Sequence, residues 1–323
     1  MKIPLFFNNT ARSARAGRFR RWLDRHRDFF DVIEPESRED MLNHLVSQAN
    51  SGAPAVAVAG GDGTLGIAAR ALCNTETVLA PFPAGTMNVF SREIGIRPDF
   101  DHALHILNTG RFKNVDLFAF NGQVFLQMAG IGADARAVEL TTWEMKKKWK
   151  AFAYVIAGAR VCMEKQPRLT LTTDEGRVLE GRSIIFGNGR KYGGPLNFFA
   201  EADNSDGLLD AVVFRHSITS IIGEFLMAAV QGGFHSRRSG SFEYIRMTGG
   251  TVTSAGQAAC ELDGDYAGNA PVRITRPGSL KVFVPCNAAG KQGLFDRSQE
   301  SPSPPYLLHE TENKPYRKNR YGL

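Results

Sequence analysis

No stretch of this 323-residue chain holds the roughly 18–20 consecutive apolar residues that a bilayer-spanning helix needs. The opening Met1-Lys2-Ile3-Pro4-Leu5-Phe6-Phe7 is too short for a secretory signal and reads as a first strand. Cysteine is scarce as well. The four present, Cys73, Cys162, Cys260 and Cys286, include no Cys-x-x-Cys pair. That excludes a disulfide framework and a zinc ribbon, and fits reduced thiols of a cytosolic protein. His102 and His105 are spaced to share a helix face, yet no further ligand stands nearby at metal spacing, so a solvated face accounts for them. Aromatic-rich RNA-recognition signatures, zinc-finger spacings and internal repeats are missing too. The net charge of +6, with basic residues gathered in Arg12–Arg27 and Lys146–Lys150, is therefore assigned to an acidic membrane surface rather than to nucleic acid.

What is present falls into two patterns. Up to about residue 112, strands (Ile3–Phe7, Phe29–Ile33, Ala55–Ala59, Val78–Ala80) alternate with helices (Ala14–Arg27, Ser37–Asn50 with Ser37 as cap, Leu65–Leu72, Met87–Ile94, Phe100–Leu107). Such alternation predicts a parallel sheet covered on both faces, with ligands at the carboxyl ends of its strands. From 113 to 286, hairpins take over, with Asn121-Gly122 and Glu175-Gly176 at their tips. An antiparallel β-sandwich is expected there, carrying two inserted helices over Trp143–Met163 and Ile218–Gln231. The tail, 287–323, is rich in proline, serine and charge, and is expected to be flexible or to dock back as a strand.

Val56 to Leu65 reads Val-Ala-Val-Ala-Gly-Gly-Asp-Gly-Thr-Leu, a short strand running through glycines into helix formers. Glycines permit close backbone approach, and the turn offers the free N–H groups of a helix start to a phosphate. An acid inside such a turn is repelled by phosphate unless a cation or water network stands between them. Asp62 thus points to magnesium-dependent phosphate chemistry; the other reading is a tight connection in which Asp62 only caps the helix. Gly-Gly-Asp-Gly-Thr resembles the nucleotide loop of diacylglycerol-type lipid kinases, NAD kinases and phosphofructokinases, whose shared chemistry is phosphoryl transfer from ATP to a hydroxyl.

A second loop follows at the next strand end, Pro83-Ala84-Gly85-Thr86-Met87-Asn88, continued by Val89-Phe90-Ser91-Arg92. Gly85 gives backbone access, while Thr86 and Asn88 offer a hydroxyl and an amide to phosphate or ribose oxygens, or serve the turn alone. The segment is similar to the second phosphate loop of the bacterial diacylglycerol kinase and sphingosine kinase superfamily, where Asp often stands at the position of Val89.

The resemblance extends through the second half. Val115-Asp116-Leu117, Met128-Ala129-Gly130-Ile131-Gly132-Ala133-Asp134-Ala135, Phe186-Gly187-Asn188 with Tyr192-Gly193-Gly194, and Asp206-Gly207-Leu208-Leu209-Asp210 occur in the order of that lipid kinase family. Neither NAD kinases nor phosphofructokinases carry the series, so the chain is identified as a member of the lipid kinase family. The resemblance implies a Rossmann-like α/β domain of the NAD kinase and phosphofructokinase type, an antiparallel β-sandwich domain, and ATP and Mg2+ as cofactors. Carried over residue by residue, it implies nucleotide contacts from Asn8, Gly60, Gly61, Asp62, Gly63, Thr64, Gly85, Thr86 and Asn88. Asp206 becomes a ligand of a regulatory magnesium, with main-chain oxygens of Asp203 and Leu208, and Asp116 joins Asp62 in a water–metal network; turn formation is the simpler role for Asp206.

Glu261-Leu262-Asp263-Gly264-Asp265 is locally a hairpin turn. The family has Asp-Gly-Glu there, and its last acid is the proposed general base. Asp265 takes that place, one methylene and about 1.5 Å shorter, and is the expected catalytic base beside Asp62. Gly66 and Ile67 replace a frequent Asn and Glu, and the Pro and Gly that usually follow Asn8 are absent. Lysines and aromatics alternate over Trp143–Tyr154, a pattern that suits a helix at a lipid interface or a solvated basic helix. The expected activity is ATP-dependent phosphorylation of a lipid hydroxyl, diacylglycerol first and sphingoid bases next, by a cytoplasmic enzyme in peripheral contact with anionic membrane. A nucleotide- or lipid-binding protein without turnover is the alternative, and homodimerisation stays open.

Overall fold

The computed structural model describes residues 2–7, 14–140, 166–216, 228, 231–235 and 240–286. Asn8, Cys162, the helix expected over 143–163 with its basic segment, nearly all of that over 218–231, and the tail from 287 lie outside the described residues.

The first half runs β1 (Ile3–Phe7), α1 (Ala14–Asp24), β2 (Phe30–Ile33), α2 (Arg38–Asn50), β3 (Ala55–Gly60), α3 (Asp62–Leu72), β4 (Val78–Pro83), α4 (Val89–Glu93) and α5 (Phe100–Thr109). Strands β2-β1-β3-β4 pair in parallel. Ala55–Ala59 and Val78–Pro83 are buried at every position, as strands covered on both faces must be. The Ser37 hydroxyl caps α2 by accepting the Asp40 amide at 3.0 Å, and Asp99 caps α5 in the same way.

The second half contains β5 (Arg111–Phe120), β6 (Gln123–Phe125), β7 (Met128–Gly132), α6 (Ala133–Leu140), β8 (Leu169–Thr173), β9 (Val178–Gly181), β10 (Ser183–Gly187), β11 (Lys191–Tyr192), β12 (Leu196–Asn197), β13 (Leu209–Phe214), β14 (Phe242–Met247), β15 (Gly250–Ser254), β16 (Ala259–Leu262), β17 (Asp265–Asn269) and β18 (Val272–Val284). One sheet, β14-β13-β10-β7-β16-β17, is antiparallel throughout. It packs through Phe186, Ile131 and Ile245 on Leu171, Val252 and Ile274 of β8, β15 and β18, which closes the sandwich.

The two halves share a spine. The start of β18 pairs with β15, and after a shift between Thr275 and Gly278 its end lies parallel to β4, with Val282 opposite Leu79. Along both parts it pairs antiparallel with β5, from Ile274–Phe120 to Val284–Arg111. Leu280, Val282 and Phe283 are thereby buried in the same core as Val56 and Leu79. The parallel sheet is completed by the last described strand, and the expected boundary near residue 112 falls inside β5, which serves both halves. This spine sets the two halves face to face across one cleft.

Candidate active site

Both glycine loops lie at carboxyl ends of adjacent parallel strands, β3 and β4, and they touch backbone to backbone. The amides of Ala84 and Gly85 donate to the Gly60 carbonyl at 3.0 and 3.1 Å. A Cβ on Gly85 would fall on the Gly61 Cα and lie 3.0 Å from the Gly61 nitrogen, so no larger residue fits between the loops. Thr64 packs over Gly60, where a Cβ would sit 2.6 Å from its Oγ1. Asn88 adopts φ 50° and ψ 51° and is buried. Its amide closes the second loop on itself, Oδ1 accepting from the Gly85 nitrogen and Nδ2 donating to the Gly85 oxygen, both at 3.0 Å. Thr86 and Met87 stand exposed at the tip.

Helix α3 begins at Asp62, with Gly61 as its N-cap residue. The carboxylate therefore sits in the first turn rather than at the cap, and its Oδ1 accepts the Phe90 amide at 3.0 Å, tying α3 to the start of α4. Thr64 and Leu65 return their amides to the Gly61 carbonyl. The amides of Asp62 and Gly63 precede that first bond, at the positive end of the helix dipole.

Opposite this turn stands the β16–β17 hairpin. Asp263 and Gly264 take φ 50° and 87°, the two left-handed residues of a type I′ turn. The Asp263 carboxylate accepts the amides of Leu126, Gln127 and Met128 at 2.8, 2.9 and 3.1 Å. Burial nevertheless pushes its carboxyl up to about 6. This anchoring fixes the hairpin two residues on: Asp265 projects into the cleft, its Oδ2 3.6 Å from the place a Gly63 Cβ would occupy. The cleft has a volume of about 560 Å³ and is lined by Arg38, Gly63, Gly66, Asp263, Asp265 and Tyr266 among others. A glycine turn at a helix start and a carboxylate on opposite walls of one cleft form an arrangement suited to transfer between a bound phosphoryl group and a hydroxyl.

The family model of the diacylglycerol kinase catalytic domain matches residues 2–120, and that of the YegS C-terminal NAD kinase beta sandwich-like domain matches residues 127–284. A "Probable lipid kinase YegS-like" of Pseudomonas syringae pv. tomato is 30% identical over 249 residues, 75% of this chain and 80% of that protein. This chain belongs to the diacylglycerol kinase-type lipid kinase family. An uncharacterised Synechocystis protein, sll0036, is 30% identical over 241 residues, where this chain spans about half of the longer relative (54%). The crystal structure of a diacylglycerol kinase from Bacillus anthracis str. Sterne superposes with a TM-score of 0.67 at 21% identity, over 88% of this chain and 96% of that one, and shares the fold.

In this lipid kinase the side chains of Asp206, expected at a regulatory magnesium, of Asp203, expected there through its main-chain oxygen, and of Asp116, expected in a network with Asp62, all have cationic partners. Asp206 Oδ1 accepts the Leu208 amide at 3.0 Å and Oδ2 pairs with Arg246. Asp203 accepts from Lys113 at 3.2 Å and from the Ser205 amide and hydroxyl. Asp116, buried, accepts the Gly207 amide at 2.7 Å and the Arg276 Nε at 3.0 Å. Arg246 thus occupies one Asp206 oxygen, and a cation held there with main-chain oxygens of Asp203 and Leu208 would share that carboxylate with the arginine. Among the described residues no group of three acid, histidine or cysteine side chains is arranged to hold a metal ion. Asp62 differs. One of its oxygens serves Phe90 and no described residue donates to the other, which fits a magnesium ion that takes one carboxylate and its remaining ligands from phosphates and water.

Among the residues that organise the site, Glu93 and Arg38 belong to no motif, whereas Asn188 does. Glu93 of α4 accepts the Lys191 amide at 2.8 Å and the Gln127 side chain at 3.1 Å. Asn188, buried, donates to the Asp116 and Leu126 carbonyls at 2.7 and 2.8 Å. Arg38 reaches Asp265 across the cleft at 3.5 Å. The one sequence signal for Arg38 is its place directly after the Ser37 cap, at a strand-to-helix turn of the parallel sheet.

Proposed function

We propose that this lipid kinase transfers the γ-phosphoryl group of magnesium-bound ATP to a hydroxyl of a membrane lipid, with diacylglycerol as the first acceptor. The approach of Asp265 to Gly63, 3.6 Å measured to a Cβ position, carries the reading. The Asp62 and Gly63 amides hold the phosphates at the head of α3, and the bare backbones of Gly61 and Gly85 let the loops converge on them. Asp265 takes the proton of the attacking hydroxyl. Magnesium, when bound with the nucleotide beside Asp62, neutralises phosphate charge. The diacylglycerol assignment draws on the name of the family and of the B. anthracis structure; sphingoid bases and phosphatidylglycerol are the competing acceptors.

Reaction on a lipid places the enzyme at a membrane surface. Among the described residues no helix is long and apolar enough to cross a membrane. One observation favours a binding protein without turnover: Asp265 already has a cationic partner in Arg38. Incubation with γ-labelled ATP, magnesium and a mixed lipid extract, followed by chromatography, separates the two. Label in one lipid, lost in Asp62→Ala, supports the kinase; nucleotide binding without any labelled lipid refutes it.

A further inference from the structure

Arg38 is the first residue of α2, followed by Glu39 and Asp40. A helix start is the positive end of the dipole, where acids are favoured and a cation is not. Helix stability therefore does not account for the arginine. Among the described residues its hydrogen-bonded partner is Asp265, 227 positions away, and the side chains of the pair are 72% and 61% exposed. Such an exposed pair is weak, screened by salt and easily exchanged. The same guanidinium nitrogen lies 3.7 Å from the Gly63 Cβ position, as close to the phosphate turn as Asp265 is. Arg70 also lines the cleft. It stands seven residues further along α3, about 10 Å up the helix axis from Gly63, and so away from the turn.

Resting on the proposed kinase reading, we infer that Arg38 is a catalytic residue of the transfer: its guanidinium leaves Asp265 for the migrating phosphoryl group. The bond between the γ-phosphorus and the β,γ-bridging oxygen breaks, with its electron pair retained by ADP. A bond forms between that phosphorus and the lipid oxygen, and the hydroxyl proton passes to the Asp265 carboxylate and on to water. Arg38 donates to the equatorial oxygens as they gather charge. The exchange of partners also frees Asp265 for its proton at the moment the nucleotide is in place. A planar fork meets two phosphoryl oxygens at once, which lysine does not do.

The test compares wild type, Arg38→Lys, Arg38→Gln, Arg38→Ala and Arg70→Gln in the lipid-labelling assay, with ATP affinity measured separately on protein without lipid. Arginines that stabilise phosphoryl transfer contribute roughly 10³–10⁵ in kcat; for a cleft this open the lower end is expected. Arg38→Gln should lose about 10³ in kcat with little change in ATP affinity. Arg38→Lys should recover a small part, and free guanidinium should partly restore Arg38→Ala. Arg70→Gln should stay near wild type. Arg38→Gln with wild-type kcat overturns the inference, as does a loss confined to ATP affinity. A wild type that labels no lipid overturns the kinase reading and this inference together; an active wild type with an equally active Arg38→Gln overturns only this one. Exposure of Arg38 makes misfolding unexpected, and an unchanged melting temperature checks it.

Discussion

Gly85→Ala tests the contact on which the site is built. The added methyl would overlap the Gly61 Cα and lie 2.8 Å from Asn88 Oδ1, whereas ordinary Cβ contacts begin near 3.4 Å. Two of the atoms in the way are backbone, and Asn88 is locked to Gly85 by two hydrogen bonds, so no rotamer change relieves the overlap. The loops must part by about 1 Å, a displacement that costs on the order of 100-fold in rate at a positioned site. Overpacking of this kind destabilises by about 1–3 kcal/mol. Gly61→Ala is milder, with its Cβ 3.2 Å from the Gly85 Cα. Gly66→Ala, inside α3 with nothing within 4 Å, should instead gain roughly 0.5–1 kcal/mol from helix propensity. Lipid labelling and urea melts on all three should rank activity as Gly66→Ala, then Gly61→Ala, then Gly85→Ala. Activity of Gly85→Ala within threefold of wild type, at unchanged stability, would refute close apposition of the loops as a condition for catalysis.

Asp263 gives a pH dependence. Its folded value of about 6 lies above the ordinary 3.8 because burial disfavours the charge, so its stabilising contribution is complete below pH 3.8 and is lost as pH rises through 6. Two pKa units correspond to about 3 kcal/mol. Asp263→Asn tolerates the left-handed backbone and should flatten the urea-stability profile between pH 4 and 7; a profile parallel to wild type would contradict the assignment. Arg246 gives a cation dependence. Without nucleotide, wild type should melt at the same temperature with or without magnesium, while Arg246→Gln, which frees an Asp206 oxygen, should gain a magnesium-dependent rise. A wild-type rise abolished by Asp206→Asn would mean that the cation displaces the arginine.

The local features were legible in the chain because short-range physics decides them. Two left-handed residues in a row need Asn-Gly or Asp-Gly, and the turns at Asn121-Gly122 and Asp263-Gly264 form there. The strand Ala55–Gly60 is apolar on both faces because both are covered, and Ser37 caps its helix through a bond to a residue three positions on. The glycine loops likewise announce an approach of backbone to something else, and family resemblance names the chemistry.

Long-range pairing is a different matter. Nothing in Leu280–Val284 says that it completes a parallel sheet begun at Ile3 or that it shares a core with Val56. Asn88 offers an amide to a ligand in the sequence, and only its left-handed backbone turns that amide back on Gly85. Asp206 reads as a metal ligand in the sequence, and only the fold brings Arg246, 40 positions later, to its carboxylate. Composition and pattern along the chain determined the elements, the glycine turns and the lipid kinase family. Tertiary structure alone decided which charges meet, Arg38 with Asp265 above all, because side-chain partners are chosen by where distant strands place them and not by any local preference of the residues.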